Sequence, residues 1–166
     1  MVRYLVILVV LVALAPFAPG LLQDWVETAQ TTAAEQERNQ KAGRRVHRIA
    51  MADNGHYLAQ AELNGKDVTL LVDTGASVVA LPEAVARRIG IHPRRDDYTV
   101  GVSTANGSIA AAPVTVRELK LGAIRLKDVS AVVIRDDALS VPLLGMSVLG
   151  RLQRFDISGD TMVLVQ

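Results

Sequence analysis

An apolar run that ends in an Asp-Thr-Gly turn is the feature that most constrains this sequence. Residues 70–72 are Leu, Leu and Val, and Asp73, Thr74 and Gly75 follow at once. Short apolar runs bounded by turn residues are typical of buried strands. Gly75 permits a tight turn that brings backbone N–H groups towards the Asp73 carboxylate, and the Thr74 hydroxyl can hold that turn from within. The pattern therefore predicts a carboxylate held at the end of a buried strand.

Composition excludes several classes of function. The chain has 166 residues, enough for one domain and an accessory segment. Its formal net charge of +1 gives no global field that would attract nucleic acid. The absence of cysteine excludes disulfides, thiol catalysis and cysteine-based zinc sites. His47, His56 and His92 are isolated from one another, and no phosphate-binding glycine loop occurs. We therefore expect no metal, no cofactor and no nucleic-acid partner.

The N-terminal segment is strongly apolar. Residues 4–22 carry no charge, a length that can just cross a bilayer as a helix. In one interpretation it is a cleaved signal peptide with Ala13-Leu14-Ala15 as the cleavage site, although Pro16 directly after the cut is unfavourable. We favour an uncleaved transmembrane anchor at residues 1–22. Arg3 on its N-terminal flank then predicts a cytoplasmic N-terminus, with the rest of the chain on the non-cytoplasmic, periplasmic side.

The rest of the sequence divides into a polar segment and a β-rich module. Residues 23–47 show few apolar residues at helical spacing, so we interpret them as a juxtamembrane stalk. In residues 48–166, short apolar segments alternate with turn signals, which is typical of a mainly β domain. Asn64-Gly65 predicts a type I′ hairpin turn. Residues 82–89 and 146–152 predict two short helices.

The strands expected in this module follow from the same signals. Ala105-Asn106-Gly107 lies between two of them and predicts a second hairpin. The predicted strands are residues 56–63, 68–72, 98–103, 108–116, 116–121, 124–134 and 161–165.

A second informative motif follows further along the chain, at Leu143-Leu144-Gly145, directly before a predicted helix. A glycine at this position predicts the close approach of another backbone. Together with Asp73-Thr74-Gly75-Ala76 and the hairpin at Ala105-Asn106-Gly107, this motif occurs in the order and with the spacing of the retropepsin-like aspartic proteases. Residues 48–166 therefore resemble that family.

The resemblance implies a mainly β, retropepsin-like closed β-barrel-type acid protease fold with one or two short helices, here preceded by the transmembrane helix. It implies that Asp73 is catalytic. The same resemblance assigns the active-site loop, the flap over an extended peptide and the residues that support the loop: Thr74, Gly75, Ala76 and Ser77 for the loop, Ala105, Asn106 and Gly107 for the flap, and Leu143, Leu144 and Gly145 for the support.

The sequence departs from the retroviral branch of that family at two positions. Retroviral members usually carry an acid where Ser77 stands and an arginine where Met146 stands, and those two side chains pair. Both are replaced here, so no unpaired buried charge remains, which would have been costly. We therefore expect the fold to be retained and the contacts between subunits to differ.

The chemistry implied by the resemblance sets the expected oligomeric state. It needs two carboxylates that share one proton, and the sequence holds a single Asp-Thr-Gly. Asp156 and Asp160 lie in or beside a terminal strand and lack the apolar lead-in. We therefore expect a homodimeric aspartic endopeptidase acting on peptide or protein substrates. The alternative is a non-catalytic module of the same fold that dimerises or binds peptides; the intact Asp73-Thr74-Gly75 favours catalysis.

Overall fold

The computed structural model describes residues 43–104 and 107–166. Of these, Arg45–Gln166 form one unit. The anchor predicted at residues 1–22 and most of the predicted stalk lie outside the described residues. Within the described ranges, no helix is long and apolar enough to cross a membrane. The first strand begins at Val46, two residues before the predicted start of the domain at Arg48.

The described residues form short helices and a large number of strands. The strands are β1 (Val46–Ala50), β2 (Leu58–Leu63), β3 (Lys66–Val72), β4 (Val79–Pro82), β5 (Val100–Thr104), β6 (Gly107–Leu121), β7 (Ile124–Ile134), β8 (Leu143–Leu144), β9 (Arg154–Ser158) and β10 (Thr161–Val165). The helices are α1 (Glu83–Arg88) and α2 (Met146–Leu149), with a 3-10 turn at Arg95–Asp97. The predicted mainly β class with short helices is confirmed.

Two sheets make up the unit. Seven strands pair in the order β2-β3-β8-β4-β7-β6-β5. β2 also pairs with β6 through Glu62 opposite Lys120 and Leu63 opposite Leu119, so this sheet closes on itself. The other sheet is antiparallel, in the order β1-β10-β9. The closed arrangement brings the ends of β3, β4 and β8 together, where the Asp73 motif lies.

The predicted hairpin turn at Asn64-Gly65 is confirmed. Both residues have positive φ, 50° at Asn64 and 82° at Gly65, as a type I′ turn requires. The Asn64 side chain donates to the carbonyl of Ile89 and accepts from the N–H of Glu118, each at 3.2 Å. The turn therefore also connects the β2–β3 hairpin to the end of α1 and to β6.

Both predicted helices are present, and both are shorter than predicted. Pro82 precedes α1 and Gly90 follows it with a φ of 80°, as the sequence signals for its start and end require. α2 ends at Leu149 rather than at residue 152, with Gly150 at its C-cap; the N–H groups of Arg151 and Leu152 then donate to the carbonyls three residues before them, those of Val148 and Leu149. The strands predicted at residues 108–116 and 116–121 are one continuous strand, β6, which pairs with β7 along most of its length.

The apolar side chains form two clusters. The larger one fills the closed sheet and includes Leu63, Leu70, Val116 and Leu144, which are fully buried. The described part of the chain has no buried polar or charged residue. The smaller cluster has at its centre Ala80, Ala111, Val132 and Ile134, and half-buried Val78, Val102, Ile109, Leu139 and Leu143 pack against it. We call this the second cluster; it lies among the strands that flank the Asp73 motif.

Candidate active site

Asp73 lies at the carboxyl end of two paired parallel strands. It follows Val72, the last residue of β3, and β3 runs parallel to β8 with Val72 opposite Leu144. The Asp73 N–H donates to the carbonyl of Leu144 at 3.1 Å, and the Val72 N–H donates to the carbonyl of Tyr57 at 2.9 Å. The backbone that leads into the carboxylate, at Val72 and Asp73, is therefore held by two segments that are distant in sequence.

The loop that follows holds the Asp73 carboxylate. The Gly75 N–H donates to Asp73 Oδ1 at 2.8 Å, and the Ala76 N–H donates to the Asp73 carbonyl at 3.3 Å. A Cβ at Gly75 would lie 3.2 Å from Asp73 Oδ1, so glycine leaves the space that this turn needs. Asp73 is half-buried, whereas Thr74 and Gly75 are exposed. The loop thus presents an oriented carboxylate beside a solvent-facing tip.

The sequence suggested a different role for Thr74. Its hydroxyl makes no hydrogen bond within residues 43–104 and 107–166, so the turn is held by the N–H groups of Gly75 and Ala76 instead. Thr74 is exposed at the tip of the loop.

Gly145 lies directly against the loop. A Cβ at this position would be 2.3 Å from the carbonyl oxygen of Val78 and 2.5 Å from that of Ala76. The next residue, Met146, donates its N–H to the Ala76 carbonyl at 2.8 Å. The close backbone approach expected from the sequence is present. This approach and the hydrogen bond from the Asp73 N–H to the Leu144 carbonyl place the Leu143-Leu144-Gly145 segment beside the loop.

Ser147 was not among the predicted site residues, although it contacts the loop. Its N–H donates to the carbonyl of Ser77 at 3.0 Å. Its hydroxyl donates to the carbonyl of Ser130 on β7 at 2.8 Å and accepts from the N–H of Val79, the first residue of β4, at 3.1 Å. The sequence shows only that Ser147 is a polar residue within a predicted apolar helix. Its hydrogen-bond partners could not be predicted, because they are brought to it by the tertiary fold.

The two residues that depart from the retroviral pattern point outwards. Ser77 is exposed, and Met146 is 37% exposed. The Met146 methyl group lies 3.9 Å from the position that a Cβ on Gly150 would take, so its side chain runs along α2. The connection between the two segments is therefore made by the backbone N–H groups of Met146 and Ser147 and by the Ser147 hydroxyl.

The predicted flap hairpin is formed by β5 and β6, which pair from Val100 opposite Ala111 to Thr104 opposite Gly107. The Thr104 hydroxyl donates to the Gly107 carbonyl at 2.8 Å. The two other predicted flap residues, Ala105 and Asn106, lie outside the described residues.

The underside of this hairpin is apolar. Val102 and Ile109 are directly opposite each other on β5 and β6, and both pack against the second cluster. Leu143 and Val78, on the two segments that meet at the Asp73 loop, pack against the same cluster. An apolar lining therefore continues from the hairpin to the strands that carry the carboxylate.

Tyr98 stabilises the base of the hairpin, just before β5. The guanidinium of Arg135 lies 5.3 Å from the centre of its ring, within the range of a cation–π contact. Burial raises the pKa of the Tyr98 hydroxyl, and the nearby Glu83 carboxylate raises it further. The group is therefore neutral at physiological pH, and its role is packing rather than acid–base chemistry.

Within the described ranges, no three His, Asp or Glu side chains gather closely enough to hold a metal ion.

Comparison with known proteins identifies the family. The sequence model described as "gag-polyprotein putative aspartyl protease" matches residues 59–151, more than half of the chain. The crystal structure of a retropepsin-like aspartic protease from Rickettsia conorii is 35% identical, with a TM-score of 0.64, and the match covers 72% of this chain and 98% of that one. The chain belongs to the family of retropepsin-like aspartic proteases.

Two curated proteins and a further solved structure are also similar to this chain. The "Uncharacterized protein in cobV 5'region" of Sinorhizobium sp is 40% identical over 111 residues, which are 67% of this chain and 48% of that protein. The "Uncharacterized protein RP867" of Rickettsia prowazekii (strain Madrid E) is 34% identical over 116 residues, 70% and 49% of the two chains. The chain spans about half the length of these curated relatives. EIAV protease complexed with the inhibitor HBY-793 is 23% identical, with a TM-score of 0.45 and coverage of 56% and 84%.

Proposed function

We propose that this chain is an aspartic endopeptidase that acts as a homodimer and hydrolyses peptide bonds with a water molecule activated between two Asp73 carboxylates. The observation that carries the proposal is the Asp73 carboxylate, held by the Gly75 N–H at 2.8 Å at the end of β3, in a member of this protease family. One carboxylate takes a proton from water while the other gives one to the substrate carbonyl. Since the sequence holds one Asp-Thr-Gly, a second copy supplies the second carboxylate.

We further propose that the substrate is an extended peptide with apolar side chains on both sides of the cleaved bond. The support is the apolar lining formed by Val102 and Ile109 on the hairpin and by Val78 and Leu143 beside the loop. Val141, two residues before Leu143, is 45% exposed. Apolar pockets with few polar groups are typical of sites that bind apolar side chains, and an extended peptide can lie between a hairpin and a sheet through backbone hydrogen bonds.

A peptide-library assay with the purified full chain tests this function. We expect cleavage between apolar residues and inhibition by pepstatin, a probe for aspartic proteases. The competing function, a non-catalytic module that binds peptides, predicts that a library peptide is retained without being cut over long incubation. Retention without cleavage would contradict the endopeptidase function and support the peptide-binding module, because the same apolar lining could serve either function.

The dimer proposal needs a surface for the second copy, and the outer edge of β9 is the best candidate. β9 pairs with β10 on one side, and in the part of the chain that the structure describes its other edge has no strand beside it. Ile157 on β9 is 59% exposed, more than any other large hydrophobic residue described. Unpaired strand edges readily accept another strand, and α2 connects β9 directly to the segment that contacts the Asp73 loop.

The charged residues of β9 are also compatible with antiparallel pairing between β9 and the β9 strand of a second copy of the chain. Arg154 Nε lies 2.9 Å from Asp156 Oδ2 within one chain, two positions apart on the same face of the strand. A two-fold axis through Phe155 would set Arg154 opposite Asp156 of the second copy, and opposite charges facing each other across strands are stabilising. This register avoids two facing Asp156 carboxylates.

Replacing Ile157 by Lys is expected to raise the dimer dissociation constant at least about tenfold, because charged side chains on edge strands oppose strand pairing. Peptidase activity should fall at low protein concentration and return at high concentration. Sedimentation velocity over a concentration series measures the fractions of monomer and dimer. The control is Ala50→Lys, an exposed position on β1 at the opposite edge of the same sheet. Equal dissociation constants for the two variants would exclude β9 as the interface.

We also propose that residues 1–22 anchor the chain in a membrane, with the protease domain on the non-cytoplasmic side. The support is the charge-free run at residues 4–22 together with Arg3 before it. The full chain should sediment with membranes and resist extraction by carbonate, whereas a chain lacking residues 1–22 should not. Recovery of the full chain in the soluble fraction would contradict the anchor.

A further inference from the structure

Both hydrogen bonds of the Ser147 hydroxyl are made to backbone groups of neighbouring strands. β4 and β7 run parallel, with Val79 opposite Ala131 at the start of β4. Parallel strands normally pair through direct N–H to C=O bonds. At this point the hydroxyl stands between the two strands, accepting from Val79 and donating to Ser130. The start of β4 is therefore held by a side chain that belongs to α2.

The start of β4 is also the end of the Asp73 loop. Ser77 and Val78 join the loop to β4, and the carbonyls of Ala76 and Ser77 accept from the N–H groups of Met146 and Ser147. The loop is thus fixed at both ends. At its start, the Asp73 N–H donates to the Leu144 carbonyl; at its end, residues 76–78, which we call the outgoing limb, are held by the N–H groups of residues 146 and 147. Because Gly75 directly precedes Ala76, we expect a shift of the outgoing limb to displace the Gly75 N–H that orients the Asp73 carboxylate.

This connection lies next to the position at which the chain departs from the retroviral pattern. Ser77 is exposed and the Met146 side chain runs along α2, so these two side chains do not join the loop to the helix. The neutral hydroxyl of Ser147, one residue further along, makes the join without desolvating a charge.

We propose that Ser147 is a positioning residue for Asp73, whose hydroxyl fixes the outgoing limb of the active-site loop. The inference rests on the proposed endopeptidase function. It assigns to Ser147 an effect on turnover rather than on substrate binding, because the hydroxyl contacts backbone behind the loop and not the apolar lining. A displacement of about 1 Å caused by a distant substitution can cost about a hundredfold in rate.

The test compares Ser147→Ala with Ser147→Thr in the full chain. Ser147→Ala should lower kcat about ten- to a hundredfold with KM changed less than about twofold, and should alter the pH profile of kcat/KM. Ser147→Thr retains a hydroxyl and should restore most of kcat. The matched control is Thr69→Ala, which removes a hydroxyl bonded to Gln60 at 2.9 Å on the exposed face of β2 and β3. Its kinetics should equal those of the unmodified chain.

Hydrogen exchange separates this proposal from the proposed function. In Ser147→Ala the amides of Val79 and Gly75 should exchange faster, and in Ser147→Thr they should not; this readout needs no turnover. Each protein is measured below its own unfolding transition, and Ser147→Cys, with its weakly hydrogen-bonding thiol, replaces Ser147→Ala should the latter not fold. An unmodified chain without peptidase activity would overturn the proposed function alone. Unchanged exchange at both amides, or unchanged kcat and pH profile in an active enzyme, would overturn the role of Ser147.

Discussion

Replacing Asp73 by Asn is expected to abolish peptide hydrolysis while the proposed dimer persists. The amide has the size and shape of the carboxylate and can still accept the Gly75 N–H bond, which is 2.8 Å long in this chain. It cannot take a proton from water, and general acid–base catalysis contributes about 10²–10⁴-fold to such reactions. We therefore expect the loss in kcat to be at least of that order, with the melting temperature and the dimer dissociation constant unchanged.

Asp160→Asn is the matched control for this substitution. Asp160 is exposed and is followed by Thr161, as Asp73 is by Thr74, but it stands in the turn between β9 and β10 rather than after a buried strand. Its variant should cleave peptides at the rate of the unmodified chain. Equal activity in Asp73→Asn and Asp160→Asn would remove Asp73 from the mechanism.

Replacing Gly145 by Ala is expected to have the second largest effect, on both stability and activity. The added Cβ would lie 2.3 Å from the Val78 carbonyl oxygen and 2.5 Å from that of Ala76. Both contacts are to backbone, so no side chain can turn away to relieve them. Overpacking in a tight interior costs about 1–3 kcal/mol, and we expect the upper end of that range, with a fall in Tm on the order of 10 °C.

The matched control is Gly101→Ala on β5. A Cβ there would meet only the Ser108 hydroxyl, at 3.1 Å, and that side chain can rotate. Thermal unfolding followed by circular dichroism measures both variants, and peptide hydrolysis below the transition measures the effect on the loop. If Gly145→Ala melts within a degree or two of Gly101→Ala and keeps its activity, the loop is not packed against residues 145–147 as described.

The parts of the fold with local signals were predictable from the sequence. Asn64-Gly65 produces its turn because few residues other than Asn and Gly tolerate positive φ. Pro82 and Gly90 mark the ends of α1 for equally local reasons. The strand before Asp73 was recognisable because its apolar run is bounded by turn residues. The close approach at Gly145 was predictable from the glycine itself, which leaves room for another backbone.

The elements that sequence reasoning missed depend on distant partners. β4 and β8 have four and two residues, too short for any periodicity, and they exist because β3 and β7 lie beside them. The contacts of Ser147 could not be predicted for the same reason, since its two hydroxyl partners lie on other strands, 68 and 17 residues away in sequence. Thr74 shows the converse case, in which a plausible local hydrogen bond is not made because the residue lies at an exposed loop tip.

The shared site can be tested most directly with mixed dimers. Unmodified chains and Asp73→Asn chains are co-expressed in equal amounts, so that random pairing gives about a quarter of the dimers two intact Asp73 residues. If each site needs both carboxylates, activity should fall to about a quarter of that of the same total amount of unmodified protein. An activity of about one half would mean that each chain works with its own carboxylate alone, and would contradict the account.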